Sequence, residues 1–354
     1  MKTRFLKLLT LTLAALLCLS LVACGAGGDT EVTTTSQASL TPGTGDEDIQ
    51  PVLDKELPVK IAVLSGTTGL GIAKLMHDTT AGEAELNYQI DVYSSADLIN
   101  PGIITGEIAI AALPTNVASV LYKKTEGAVM VAAVNTKGVL YLLENGNTVN
   151  GMSDLKGKTV YLPGKGSNPE YIFRALCRSA GLEPDKDVIL DYSYTSPDEL
   201  ATALASGLIN LAVLPEPKVT AVKAQNKDIR SALDFTAEWN KSGKSELVQG
   251  CIVVQKKFAE EHPAELEKFL ADYKASILFA ADAANIDEAA AMIEEAGIIP
   301  KAAVAKKALP NCNICYMDGD EMKTSLSAFY QALYDIAPAS IGGQIPDDGI
   351  YYKK

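Results

Sequence analysis

The sequence predicts an α/β protein built from two similar lobes, each on a mostly parallel sheet. Two observations carry this prediction. Apolar strand-like runs alternate with amphipathic helices along the chain, and the alternation occurs twice with shared residues. The order strand, helix, strand implies right-handed crossovers and therefore parallel strands. The chain beyond its first fifty residues suits two packed lobes better than one core.

The two copies align at nearly constant offset. Residues 60–66 (KIAVLSG) and 158–164 (KTVYLPG) are each an apolar strand that ends in a glycine turn before a helix. Residues 105–114 (TGEIAIAALP) align in the same way with 206–215 (SGLINLAVLP). In this second pair a helix ends at glycine and a continuous apolar strand follows. Chance can produce such patterns in any α/β chain, but the shared Gly-x-Ile and Ala-x-Leu-Pro positions favour duplication.

Local signals define the remaining elements. Ser196 and Glu199 form a predicted capping box, with proline at the first helical position, and Gly207 ends that helix. Strands are predicted over residues 188–194 and 250–254. The predicted helices of the C-terminal part cover residues 263–281, 286–296, 301–309 and 318–336.

The N-terminus has the pattern of a targeting segment. Basic residues precede an apolar run over residues 8–22, which is shorter than the roughly 20 residues of a comfortable membrane span. Residues 21–24 (LVAC) resemble the lipobox of bacterial lipoproteins. This predicts a signal peptide over residues 1–23 and a lipid anchor at Cys24, whose palmitate-type acyl chains would hold the protein on the extracytoplasmic face of the cell membrane. An ordinary signal peptide that contains a cysteine is the alternative.

Residues 24–55 are predicted to be a flexible tether. The segment is rich in Gly, Thr and Ser and lacks apolar periodicity, so it cannot bury a core.

Charge and cysteine content exclude several classes of function. The chain carries 44 acidic and 31 basic residues, a formal net charge of −13, which argues against nucleic-acid binding. Cys177 and Cys251 lie in apolar stretches and are predicted to be buried. Cys312 and Cys315 form a lone CxxC motif without a second ligand pair, so free thiols or a local disulfide are favoured over a metal or redox site. No cofactor is predicted.

Four loops have the position of a ligand site in an open parallel sheet, beyond the carboxyl ends of strands and near helix N-termini. They cover residues 65–70, 114–116, 163–168 and 215–217, two from each copy, which suits a cleft between two lobes. The candidate ligand-binding residues are Ser65, Gly66, Thr67, Thr68, Thr115, Asn116, Lys165, Gly166, Ser167, Tyr171 and Glu216.

The first and third loops offer hydroxyls and backbone N–H groups at helix starts. Residues 65–69 (SGTTG) favour an anionic or strongly hydrogen-bonding group, although a Ser or Thr there can simply cap the helix. No Gly-Lys-Ser/Thr follows, so the loop is not a phosphate-binding Walker motif. In the third loop, Ser167 or Asn168 would cap the helix, and Lys165 would either add a positive charge or remain solvated.

The other candidate ligand-binding residues also have ordinary structural roles as alternatives. Thr115 and Asn116 lie at a strand end, where capping is again possible. Glu216 could meet an amine or hydroxyl of the ligand, or pair across the closed cleft. Tyr171 and Trp239 could stack on an aromatic ligand, although most single aromatic residues belong to the core.

The sequence contains no motif that is typical of a catalytic site. The chain has no Gly-x-Ser-x-Gly elbow, and its two histidines, His77 and His262, lie in helical or helix-start positions without a triad pattern. No catalytic or metal-binding residue is predicted, and the protein is predicted not to be an enzyme.

Several motifs occur in an order that identifies a family. They are residues 65–69 (SGTTG), 112–116 (ALPTN), 154–158 (DLKGK), 163–167 (PGKGS), 214–217 (LPEP) and 296–300 (AGIIP). Together with the lipobox and tether, they resemble the ABC-transporter substrate-binding proteins of the sulfonate, taurine, nitrate and thiamine-precursor group. The resemblance covers nearly everything after the tether.

The resemblance implies a type II periplasmic-binding-protein fold, in which two α/β lobes are joined by two crossing strands and close over a ligand. Lobe one would comprise residues 56–140 and 251–354, and lobe two residues 141–250. The crossings would lie at residues 139–143 and 250–254.

The resemblance also implies a function. The protein would be a monomer that captures a small polar or anionic molecule and delivers it to an ABC permease and its ATPase. A ligand sensor for a membrane receptor is an alternative with the same sequence pattern. A thiamine-pyrimidine synthase of the same fold is a weaker one, since the chain lacks that enzyme's Cys-rich loop and a lipid anchor does not suit it.

Overall fold

The structure, a computed structural model, describes residues 53–241, 243 and 245–353. The described residues belong to one compact unit. The predicted signal peptide, the lipid anchor at Cys24 and the tether up to residue 52 lie outside the described residues.

Strands alternate with helices, as the sequence predicts. The strands are β1 (Pro58–Leu64), β2 (Asn87–Tyr93), β3 (Ile110–Pro114), β4 (Val129–Lys137), β5 (Leu140–Asn145), β6 (Thr159–Tyr161), β7 (Ile189–Asp191), β8 (Leu211–Pro215), β9 (Ile229–Asp234), β10 (Val248–Gln255) and β11 (Ile314–Met317).

The helices are longest in the C-terminal part. They are α1 (Ala73–Ala81), α2 (Ala96–Thr105), α3 (Thr115–Lys124), α4 (Asn168–Ser179), α5 (Pro197–Ala205), α6 (Lys218–Gln225), α7 (Phe235–Asn240), α8 (Lys256–Glu261), α9 (Pro263–Ala281), α10 (Ile286–Glu295), α11 (Ala302–Ala308) and α12 (Gly319–Ile336). Short 3-10 helices cover Thr67–Ile72, Met152–Leu155, Ala283–Asn285, Leu309–Asn311, Pro338–Ile341 and Asp348–Ile350.

The strands form two sheets that share one plan. The first sheet has the order β11-β4-β10-β3-β1-β2, and the second has the order β7-β6-β8-β5-β9. In each, the first three strands of a copy pair in parallel in the order second, first, third: β2-β1-β3 and β7-β6-β8. Antiparallel strands complete each sheet. The predicted α/β fold with two similar lobes is confirmed, and we call the parts that carry the two sheets lobe one and lobe two.

The chain passes from lobe one to lobe two through Gly138 and Val139, between β4 and β5, and returns between α7 and β10. A Cβ atom at Gly138 would lie 2.2 Å from Thr236 Oγ1, so any larger residue at this crossing would force the side chain of Thr236 to move. Asn313 ties the crossing to β11, because its Nδ2 donates to Gly138 O at 2.5 Å and its carbonyl accepts from Lys137 N–H at 3.0 Å. Helix α12 packs on α4 of lobe two as well as on β4 and β10 of lobe one.

Several local predictions can be checked directly. The capping box is confirmed, since Glu199 N–H donates to Ser196 Oγ at 3.2 Å and Ser196 N–H donates to Glu199 Oε2 at 3.3 Å. Cys177 and Cys251 are buried as predicted, and both are free thiols, as are Cys312 and Cys315. Within the part of the chain that the structure describes, no helix is long and apolar enough to cross a membrane.

Candidate ligand-binding site between the lobes

The four predicted loops follow the carboxyl ends of β1, β3, β6 and β8, the corresponding strands of the two lobes. The first and fourth of them meet directly. Thr67 Oγ1 of lobe one donates to the backbone carbonyl of Glu216 in lobe two at 2.5 Å. Both residues are buried, with 8% and 3% of their surface exposed. The two lobes are therefore in contact at the predicted site.

Thr67→Val tests this contact. The substitution removes the hydroxyl and leaves the Glu216 carbonyl without this donor, so we expect the free energy of unfolding to fall by about 1–2 kcal/mol. Small-angle scattering should also show a larger radius of gyration if the lobes separate. Thr80→Val is the matched control, because Thr80 Oγ1 donates to Met76 O at 2.9 Å within one exposed helix. Equal effects of the two variants would contradict a bridging role for Thr67.

A cavity of about 370 Å³ lies beside this contact and is walled by both lobes. Ser65 and Gly66 form one wall together with residues 298–301 of lobe one. Helices α5 and α6 form the opposite wall, with Ala201 and Ala221 among its apolar side chains. The cavity therefore combines the polar turn after β1 with aliphatic surfaces, as is common for small-molecule sites.

Glu216 is an unusual carboxylate because it is buried at the lobe contact. Its Oε2 accepts from Thr220 N–H at 3.1 Å and its Oε1 accepts from Thr220 Oγ1 at 3.0 Å, so it satisfies the first turn of α6. Burial raises the pKa of Glu216 above its ordinary value, and the bonds from Thr220 and the nearby charge of Lys223 only partly oppose this. The charged form is therefore disfavoured in the folded protein.

The raised pKa predicts a pH dependence. The folded state holds a proton on Glu216 more tightly than the unfolded state, so the contribution to stability is present below the ordinary pKa of 4.5 and is lost as pH rises through the folded value. Glu216→Gln cannot titrate. We therefore expect the variant to gain stability relative to the original protein between pH 4 and neutrality, measured by urea unfolding. A constant difference across this range would contradict the raised pKa.

The second loop contains one anchored residue and one unpaired amide. Thr115 is fully buried, its Oγ1 donates to Val248 O at 2.8 Å, and its carbonyl accepts from Tyr330 Oη at 3.0 Å. Thr115 thus fastens the loop to β10, and its hydroxyl makes no capping bond in α3. Asn116 is only 6% exposed, and its Oδ1 is buried without a hydrogen-bond partner. An unpaired buried acceptor is costly unless a ligand or water completes it.

Thr68 lies against the antiparallel strand at the centre of the first sheet. Its carbonyl accepts from Asn135 Nδ2 at 2.9 Å, and Asn135 Nδ2 is also 3.0 Å from Tyr273 Oη. A Cβ atom at Gly250 would lie 2.6 Å from Thr68 Cγ2, so the side chain of Thr68 packs directly on the backbone of Gly250. Thr68 therefore packs the first loop, residues 65–70, against β10.

The third loop is held by its own residues. Ser167 Oγ donates to Pro163 O at 3.0 Å and Gly164 O at 2.8 Å, so its hydroxyl makes no capping bond in α4. Gly166 N–H donates to Glu170 Oε2 at 2.5 Å and is already occupied. Lys165 is exposed.

A hydrogen-bonded network centred on the buried carboxylate of Glu170 holds this loop in place. Glu170 Oε1 accepts from Arg174 Nε at 2.7 Å and from Tyr192 Oη at 2.8 Å. Burial alone would raise the pKa of Glu170, but the bonds from Gly166, Arg174 and Tyr192 outweigh it and lower the pKa. Glu170 therefore stays ionised and fixes the position of Gly166.

The sequence predicts Asn168, the first residue of α4, only as a helix cap. It is 7% exposed, and both its Oδ1 and its Nδ2 are buried without a hydrogen-bond partner. Its position after Ser167 was the only sequence signal, because burial and lack of partners are tertiary properties. Ile298 and Ile299 line the cavity wall, whereas the sequence indicates them only as part of the motif at residues 296–300.

The two aromatic candidates differ in their surroundings. Trp239 is buried, donates from Nε1 to Ser245 O at 3.1 Å and packs on Phe329 with ring centroids 5.8 Å apart, so it belongs to the core. Tyr171 is half-buried, and its hydroxyl lies next to the Gly166 backbone, 3.8 Å from where a Cβ would be. Tyr171 thus remains close to the third loop.

A family model described as NMT1/THI5 like matches residues 83–285, more than half of the chain. The chain belongs to the NMT1/THI5-like family. The match begins after β1 and covers β2 to β10, so it includes strands of both lobes. It confirms the resemblance predicted from the motif order. A search of curated proteins found no significant match.

Solved structures share the fold of this family member. An ABC transporter protein from Parabacteroides distasonis is 24% identical with a TM-score of 0.70, over 84% of this chain and 99% of that chain. The periplasmic aliphatic sulphonate binding protein SsuA from Escherichia coli is 16% identical with a TM-score of 0.67, over 84% and 92%. The periplasmic nitrate-binding protein NrtA from Synechocystis is 12% identical with a TM-score of 0.55, over 80% and 84%. The predicted type II periplasmic-binding-protein fold is confirmed.

Proposed function

We propose that this family member is the solute-binding component of an ABC importer. It captures a small polar or anionic molecule between its lobes and delivers it to the permease and ATPase. One observation carries the proposal: strand-end loops of both lobes meet at Thr67 and Glu216 beside a cavity with walls from both lobes. A ligand that contacts both walls favours the closed state by its difference in affinity for the two states.

The structural neighbours support the same role. They include binding proteins for sulphonate and nitrate, which are small solutes of this kind. In keeping with the sulphonate- and nitrate-binding proteins among the neighbours, we propose that the chain binds its solute without chemical conversion.

The proposed site combines the predicted residues with Asn168. Asn116 and Asn168 supply hydrogen-bonding groups without partners, and Ser65 and Gly66 of the turn after β1 line the cavity. The proposed ligand-binding residues are Ser65, Gly66, Thr67, Thr68, Thr115, Asn116, Lys165, Gly166, Ser167, Asn168, Tyr171 and Glu216.

The remaining sequence predictions belong to the same proposal. A signal peptide over residues 1–23, a lipid anchor at Cys24 and a tether over residues 24–55 place a monomeric protein on the extracytoplasmic face of the membrane. The sequence places lobe one at residues 56–140 with 251–354 and lobe two at 141–250. The change of sheet falls slightly before each of these bounds, because β5 of the second sheet begins at Leu140 and β10 of the first sheet begins at Val248.

A thermal-shift screen over small anions, sulfonates and heterocycles tests the proposal. A solute that binds the folded protein raises the midpoint of unfolding in proportion to RT ln(1 + [L]/Kd), so a hit is recognised by its concentration dependence. Mass spectrometry of the solute after incubation should return it unchanged, whereas a converted product would identify an enzyme. Transport of the hit should fall when the gene is deleted and recover with the original chain. A hit that binds without affecting transport would favour a sensor.

A further inference from the structure

A second hollow, of about 490 Å³, lies on the face of α6 that points away from the cavity described above. Ala224 borders both spaces. Val219, Thr220 and Lys223 line only this hollow, whereas Ala221 and Val222 line only the cavity. These positions lie on opposite faces of a helix with 3.6 residues per turn. The hollow also has walls from both lobes, since Lys307 and Asn311 come from lobe one.

Three lysines line the hollow, which is notable in an acidic chain. Among the residues that the structure describes, no carboxylate lies within ion-pair distance of Lys223, Lys227 or Lys307. Neighbouring lysines do pair: Lys218 contacts Asp198 and Lys306 contacts Asp287. Three exposed ammonium groups around one hollow repel one another and create a local positive potential. The Lys223 ammonium also donates to Ser231 Oγ at 3.4 Å and lies near the Glu216 carboxyl group.

Neutral donors complete the lining. Tyr141 and Ser231 bring hydroxyls and Asn311 brings an amide. Burial, with the nearby carboxylate of Asp234, raises the pKa of Tyr141 to about 12, so its hydroxyl keeps its proton and can donate. Among the described residues, Glu216 is the only carboxylate that lines the hollow, and its oxygens accept hydrogen bonds from Thr220.

We propose that this hollow binds a small divalent oxyanion, such as sulfate or phosphate. Ammonium, hydroxyl and amide groups are the donors that such an anion requires, and the oxyanion would relieve the repulsion among the three lysines. Because Lys223 and Lys227 belong to lobe two and Lys307 to lobe one, the anion favours the arrangement in which the lobes are together. The anion thus acts separately from the transported solute.

Titration with inorganic sulfate and with inorganic phosphate, in the absence of any solute, tests the site. We expect a saturable rise in the unfolding midpoint of the original protein, and a smaller radius of gyration if the lobes also separate in solution. Lys223→Gln and Lys307→Gln should each weaken the apparent affinity by about tenfold, since each removes a charge-assisted hydrogen bond. Lys124→Gln is the matched control: it removes an exposed lysine at the end of α3, outside the hollow, and should leave the titration unchanged.

Three results would overturn the proposal. A shift that chloride or acetate reproduces at equal ionic strength would reveal general screening. If Lys124→Gln weakens the apparent affinity for the anion as much as Lys223→Gln and Lys307→Gln do, the anion does not bind in this hollow. If Lys223→Gln weakens anion binding but Lys307→Gln does not, lobe one takes no part in the site and the anion does not bridge the lobes. The titration uses no transported solute, so its failure leaves the proposed import function intact, and failure of the solute screen leaves this site intact.

Discussion

Gly69→Ala is expected to lower the free energy of unfolding by about 3 kcal/mol and to abolish solute binding. Gly69 lies in the 3-10 helix Thr67–Ile72, where a Cβ atom would be 2.1 Å from the carbonyl oxygen of Leu64 at the end of β1. The colliding atom is backbone, so no rotamer change relieves the overlap. The turn after β1 has to move, and Thr67 then loses its bond to Glu216.

Urea unfolding and calorimetry with the solute found in the screen measure these effects. Gly151→Ala is the matched control, because Gly151 has an extended φ of −159° and the nearest atom to its Cβ would be Ser153 Oγ at 4.0 Å. We expect this control to change stability by less than about 0.5 kcal/mol. If Gly69→Ala is as stable as Gly151→Ala, the backbone of the turn can move away from the added Cβ atom at little cost, which would contradict the prediction.

Asn116→Ala and Asn168→Ala are expected to weaken solute binding at least about tenfold while leaving the unliganded protein about as stable as before. Each amide has at least one buried polar atom without a partner, so its desolvation already costs free energy in the unliganded state. Truncation removes that cost and introduces a small void, and the two effects nearly cancel. Calorimetry measures the loss of affinity, and urea unfolding measures the stability.

Asn100→Ala separates binding from stability. Asn100 Oδ1 is also buried without a partner, but its helix α2 packs on β2, β3 and α3 of lobe one. We expect a similar change in stability and no change in affinity. A loss of several kcal/mol in Asn116→Ala or Asn168→Ala would instead assign these amides to the structural core, and unchanged affinity would remove them from the site.

The architecture was predictable because its determinants are local. Apolar runs that end at Gly66 and Gly164, and helices that end at Gly106 and Gly207, report strand ends and helix C-caps within a few residues of sequence. The repeated order of such signals was enough to predict the three parallel strands of each sheet, but not the antiparallel strands that complete it. The antiparallel insertion of β10 between β3 and β4 carried no such signal, because it joins segments more than a hundred residues apart.

The sequence by itself determined the fold, the repeat and the four loops in which the candidate site lies. Only the tertiary structure decided what each side chain does there. Thr67 meets Glu216 across 149 residues of sequence, Ser167 bonds to its own turn, and Asn168 is left without a partner. The physical reason is that caps, turns and periodicity are set by neighbours along the chain, whereas burial and hydrogen-bond pairing depend on which distant surfaces the two lobes bring together.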